Sequence, residues 1–176
     1  MANEPTTKES VNWFRETAQG LSGNYNKLMN DPKNVAGGLT IDSIGRMYMF
    51  FYDPKHGETL VKYDTFPLVF PINFYSDGFL GLNLHYLPPG ARVGLLNAMK
   101  DTITNDKYDD STKLNISYRI LNNIASRTGF KDCVKRYLYG FVQSRYLYIE
   151  PKNWEFALNL PTESFVTKSQ NIRAGR

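Results

Sequence analysis

GRMYMFFYDPKHGETLVKYDTFPLVFPINFYSDGFLGLNLHYLPP, residues 45–89, decides the fold. It sets β-branched and aromatic residues between closely spaced turn signals, the pattern of a small antiparallel sheet. In the strand Arg46–Tyr52, Met47, Met49 and Phe51 point one way and Tyr48, Phe50 and Tyr52 the other, so both faces are apolar. Such a strand is either covered on both sides or curled into a small barrel, because a face turned to water would carry polar residues. Asp53-Pro54-Lys55-His56-Gly57 reads as a turn, with Glu58–Tyr63 returning as a second strand. Pro67 and Pro71 make Phe66–Phe70 an edge or kinked strand, since proline has no N–H to give to a ladder. Tyr75-Ser76-Asp77-Gly78 then turns into Phe79–Leu87, whose Leu80, Leu82, Leu84 and Tyr86 share a face. Four short strands in this order predict a small, strongly curved antiparallel sheet or an SH3-like barrel.

On the C-terminal side the period changes to helical. Pro89 stands near a helix start, and Leu95, Leu96, Met99 and Ile103 form one stripe. An acidic loop, Asn105–Ser111, leads to a second helix over Ser117–Arg127 that buries Ile120, Leu121 and Ile124 and ends at Gly129. A third helix is predicted over Lys131–Ser144, with Cys133, Val134, Tyr137, Leu138 and Phe141 on the packed arc and Lys131, Lys135, Arg136 and Gln143 on the other. Arg145–Ile149 alternates as a last strand, and a short helix follows around Asn153–Leu158. On the N-terminal side, Ser10 caps a helix that places Val11, Phe14 and Ala18 on one face and ends at Gly20; a second helical piece covers Tyr25–Met29, and a Gly37-Gly38 linker reaches the sheet. The expected organisation is an N-terminal helical arm and linker over 1–44, a single α+β domain over 45–166, and a flexible basic tail over 167–176.

The 176 residues suffice for one domain with a real core, and the 41% apolar and 14% aromatic content is that of a folded chain. The longest continuous apolar run is Met47–Tyr52, far short of the roughly 20 residues a membrane helix needs. The N-terminus has no basic region followed by an apolar stretch, so no secretory signal is expected, and Cys133 as the one cysteine suits a reducing interior. The charge is unevenly divided. Residues 1–110 hold 10 Lys/Arg against 13 Asp/Glu, and residues 111–176 hold 11 against 4. A basic C-terminal half points to a polyanion such as nucleic acid, or to an acidic protein surface.

Catalytic signatures are sparse. Two histidines, His56 in a turn and His85 in a strand, and one cysteine assemble no zinc site. His85 between Leu84 and Tyr86 reads as an imidazole hydrogen-bonded into the core or the sheet edge rather than as a general base. Asp53, Asp64 and Asp77 could form a magnesium nuclease cluster only if they converged within about 4 Å. Each stands beside a proline, a turn or a glycine, where turn capping accounts for it. No cofactor or metal is expected. The positive constellation is Lys113, Arg119, Arg127, Lys131, Lys135, Arg136 and Arg145, with Tyr118, Tyr137, Tyr139, Tyr146 and Tyr148 interleaved and Asp132 the one acid among them. Such bases neutralise phosphates, and exposed tyrosines stack on frayed or single-stranded bases. The competing account makes the tyrosines core and the charges a solvated rim.

The phrases GRMYMFFYDPK (45–55), YDTFPL (63–68), GFLGLNLHYLPP (78–89) and CVKRYL (133–138), with Ser144-Arg145 and Trp154-Glu155, resemble the DNA end protector proteins of large contractile-tailed bacteriophages, over about Gly45–Phe165. That resemblance implies a virion protein, not an enzyme, that holds the ends of the packaged genome, shields them from host exonuclease and acts in head completion and head-to-tail joining. Its implied partners are double-stranded DNA ends and head, neck or tail proteins, with oligomers within the particle and no membrane. It would reside in the virion and, during assembly and after injection, in the host cytoplasm. The alternatives are a purely structural neck, head-completion or tail-associated protein, and the nuclease built on the three aspartates.

Overall fold

A computed structural model describes residues 7–23, 35–36, 38–60 and 63–159. Its centre is a six-stranded sheet in the order β1-β6-β2-β3-β4-β5, in which every pairing is antiparallel. The strands are β1 (Val35–Ala36), β2 (Met47–Met49), β3 (Leu68–Tyr75), β4 (Gly78–Asn83), β5 (Val134–Leu138) and β6 (Tyr146–Ile149). The helices are α1 (Thr7–Gly23), α2 (Pro89–Ile103), α3 (Asp110–Ser126) and α4 (Trp154–Leu158). The α+β class is as the sequence predicts.

Both faces of β2 are indeed buried, and each is covered differently. Met47 and Met49 join Leu68, Phe70, Ile72, Leu82, Leu147 and Ile149 in a core capped by Leu95, Leu96 and Met99 of α2, Leu121 of α3 and Trp154 of α4. Tyr48 and Phe50 face a second, aromatic core with Tyr52, Phe79, Tyr137 and Tyr146. Phe50 sits at its middle, its ring edge-on to Tyr146 at 5.0 Å and to Tyr137 at 5.3 Å. The sheet curves round these rings without closing. β1 and β5 remain its edges, so the barrel alternative is set aside, although a single bridge, Tyr52 to Val142, crosses from the β2 side to the segment after β5.

Three sequence expectations are corrected, and one of two alternatives is selected. Glu58–Tyr63 is no strand over its described residues: residues 55–59 are turns, held by Gly57 N–H to Pro54 O and Thr59 N–H to His56 O, and β2 pairs with β3 and β6 instead. Of the two readings of the proline strand, the kinked one holds: β3 is central, and its ladder to β4 slips between Pro71 and Asn73, an irregularity at which no N–H is required of proline. β4 stops at Asn83, whose side chain accepts the His85 N–H at 2.9 Å and starts a 3₁₀ turn over Leu84–Tyr86, so His85 lies in that turn and not in a strand. Lys131–Ser144 is not a helix but a 3₁₀ segment, Thr128–Cys133, followed by β5, which pairs along its length with β4.

The helical reading fares better elsewhere. α2 begins with Pro89 in its first turn and buries Leu95, Leu96 and Met99, as the stripe predicts. α3 starts seven residues earlier than Ser117 because Asp109 caps it, accepting the Thr112 N–H at 2.7 Å. α1 likewise starts before Ser10, which is buried within it, and it continues past Gly20 to Gly23; Trp13 stacks on Phe156 at 5.6 Å. The side chains of Phe14 and Ala18, and the Tyr25–Met29 and 167–176 segments, lie outside the described residues.

Close approach explains two glycines of β4. A Cβ on Gly78 would meet the Tyr137 carbonyl oxygen at 2.0 Å, and one on Gly81 would meet Val69 at 2.8 Å. Gly78→Ala is therefore expected to lower the unfolding free energy by about 3 kcal/mol, while Gly94→Ala, where an added Cβ touches nothing within 4 Å on the exposed face of α2, should raise it by about 1 kcal/mol. Urea denaturation of the two variants beside the parent chain checks both signs.

Candidate nucleic-acid interface

The seven basic residues named from the sequence separate into two groups and a lone Arg145. Lys113, Arg119, Arg127 and Lys131 belong to residues 111–131, which contain no acid. Within this segment α3 buries Ser117 and Leu121 and exposes Asn115, Tyr118, Arg119, Asn122, Asn123 and Ser126, a stripe at helical spacing. Arg127 is exposed at the C-terminal cap, where the negative end of the helix dipole favours a cation, and exposed Lys131 follows on the 3₁₀ segment. Lys113 is half-buried near the other end of α3, about 20 Å from Arg127 at 1.5 Å per residue. Arg145 is exposed, just before β6. Among the described residues Arg119, Arg127, Lys131 and Arg145 enter no salt bridge.

The second group is on β5, where Lys135 and Arg136 are neighbours in a strand and so point to opposite sides. Lys135 Nζ lies 4.6 Å from the centre of the Tyr86 ring. The Arg136 guanidinium lies 3.8 Å from the centre of the Tyr75 ring and pairs with Asp77. Neither therefore shares a helix face with Lys131.

Of the interleaved tyrosines, only Tyr118 is exposed, at 39%. Tyr137 and Tyr146 are buried and Tyr139 and Tyr148 half-buried, and burial pushes all four phenols above their ordinary range. They belong to the aromatic core.

The three aspartates have separate environments. Asp53 is exposed after β2, and Asp77 is exposed in the β3–β4 turn, paired with Arg136. Asp64 is buried: its Oδ1 accepts the Phe66 N–H at 2.9 Å, and its Oδ2 accepts from Asn83 Nδ2 at 3.1 Å and contacts His85 Nδ1. Asn83 Nδ2 also donates to the Tyr137 hydroxyl at 3.1 Å. His85 is wholly buried, a core histidine tied to Asp64. No group of three or more His, Cys, Asp or Glu suited to a metal ion occurs among the described residues, and no helix among them is long and apolar enough to cross a membrane.

Sequence reasoning missed the partners of Arg136. Tyr75 and Asp77 lie 61 and 59 residues before it and meet it only through the β4–β5 pairing. The turn signal around Gly78 was the available clue, but it could not reveal what would stand beside it.

Beyond its first turn, α3 turns asparagines and Arg119 outward, and no acid occurs from there to Lys131. The chain belongs to the family of the phage T4 terminal DNA protecting protein, whose model matches residues 3–176. No curated protein and no solved structure matches it.

The Asp64 network bears on stability. Asp64→Ala strips acceptors from a buried amide N–H, an asparagine and a histidine and is expected to cost about 3 kcal/mol; Asp64→Asn keeps the acceptor for Phe66 and should cost less, as read from midpoints in urea.

Proposed function

We propose that this protein binds the ends of a packaged phage genome and shields them from host exonuclease, acting as the head is completed and joined to the tail. The observation that carries this reading is the acid-free run 111–131, with Arg119, Arg127 and Lys131 exposed and, among the described residues, free of salt bridges, in a chain of the terminal DNA protecting family. Unpaired surface cations release counterions from DNA on binding, whereas cations already held by carboxylates have less to offer. Lys113 and Arg145 extend the same interface, while Lys135 and Arg136 contribute at its β5 side. The role needs no active site. Copies of the chain and head, neck or tail proteins are its neighbours in the virion, and after injection it stays with the DNA in the host cytoplasm.

The test uses the full chain, a linear blunt duplex, the same duplex closed into a circle, and a processive exonuclease. Preferential binding and protection of the linear form is expected, with affinity falling steeply with salt. Arg119→Glu with Arg127→Glu should leave the melting temperature nearly unchanged and flatten the salt slope by about 0.9 per lost phosphate contact. Equal, weak binding to both forms would instead make the chain a structural neck or head-completion component.

A further inference from the structure

The tip of the β3–β4 hairpin carries an aromatic side chain that is both exposed and held. Tyr75 is 43% exposed, yet three neighbours fix it. The Asn73 side-chain amide donates to its hydroxyl at 3.4 Å, the Arg136 guanidinium stacks 3.8 Å from its ring centre, and Asp77 in the same turn pairs with Arg136. The backbone is pinned as well, because the Tyr139 N–H donates to the Asp77 carbonyl at 2.9 Å and β4 leaves no room for a side chain at Gly78. A tyrosine that served only the core would be buried, as Tyr137 and Tyr146 are. One that served only solubility would not be oriented by a stacked cation.

From this arrangement we infer that Tyr75 and Arg136 form a stacking platform for a nucleobase at the DNA terminus, unpaired or frayed from its partner. The inference rests on the DNA-end reading above and adds to it the chemical group that is recognised. The guanidinium lies over one face of the Tyr75 ring and backs it, which leaves the exposed remainder of the ring as the surface on which a base stacks, whatever its sequence. Holding the ring in advance removes ordering cost from the binding step. Arg136, engaged with Asp77, acts here as a wall of the platform. Bases inside a duplex are already stacked on both sides, so the platform is open only to a terminal or single-stranded base.

The experiment places 2-aminopurine as the last base of a linear duplex, either paired or as a one-nucleotide overhang, and in a control duplex at an internal position. Binding of the full chain is expected to change the fluorescence of the terminal probe and leave the internal one unchanged. Tyr75→Ala should weaken binding to the linear duplex about tenfold and abolish the terminal signal, with binding to closed circular DNA unaltered; Tyr75→Phe should retain both within about twofold. End-preferential binding with an unmoved terminal probe, or with Tyr75→Ala as tight as the parent, overturns the platform and leaves the end-binding reading intact. Loss of any preference for open ends in the parent chain overturns both.

Discussion

The buried carboxylate of Asp64 ties together parts of the chain that no local signal connects. It lies in the stretch between β2 and β3, and through Phe66, Asn83 and His85 it fixes where that stretch meets the end of β4. Asn83 passes the connection to Tyr137 on β5. A buried carboxyl group costs free energy unless its oxygens find partners, and those of Asp64 find theirs only when these strands and the 3₁₀ turn are all in place. The network also joins the two cores: Tyr137 belongs to the aromatic one, and the residues flanking His85, Leu84 and Tyr86, belong to the helix-covered one. A second buried charge works similarly at the other layer. Arg92 donates to the Leu87 carbonyl at 2.9 Å and to that of Ala157 at 3.4 Å, and burial pushes its guanidinium down to about 10. Through these carbonyls it fastens the start of α2 to the end of α4.

The fold was legible wherever one stretch of chain dictated its own surroundings. Met47–Tyr52 has no polar face, so a two-sided cover followed from its composition, and the leucine stripe of α2 needed only its 3.6-residue period. Legibility failed where the deciding contact was distant. Cys133, Val134, Tyr137, Leu138 and Phe141 are spaced as in a helix, and they are equally the β-branched and aromatic residues of a strand. β5 is a strand because β4 presents Gly78 and Gly81 to it, opening space for Tyr137 to lie against Phe79 at 5.3 Å. Glu58–Tyr63 failed for the opposite reason: the strand that pairs with β2 from this side is β3, further along the chain.

The same distinction governs the candidate interface. The acid-free composition of 111–131 is a property of sequence and needed no structure. The grouping of Lys131, Lys135 and Arg136 on one face depended on a helix that does not form. Burial reassigned the tyrosines: four of the five interleaved with the bases went to the core, and a tyrosine outside that run, Tyr75, came to stand beside Arg136. Exposure, which separates a stacking residue from a packing one, is decided by tertiary contacts and is invisible in a single sequence.

Recognition of a DNA end poses a physical problem that positive charge alone does not solve. Lysines and arginines meet the same phosphate lattice in the middle of a duplex as near its terminus, so a purely cationic surface binds everywhere and is steeply weakened by salt. Selectivity for an end needs a group that interacts with what only an end presents, namely an uncovered base face or the absence of continuing duplex. Among the described residues, Arg119, Arg127 and Lys131 on α3 and the segment that follows it are exposed cations outside any salt bridge, whereas the guanidinium at the β3–β4 tip is already occupied by a carboxylate and a ring. That pairing limits what Arg136 can give to a phosphate and makes it a fixed neighbour of an exposed aromatic surface. The two regions thus offer different chemistry: one suits sequence-independent affinity for the backbone, the other a contact with the base stack where it stops.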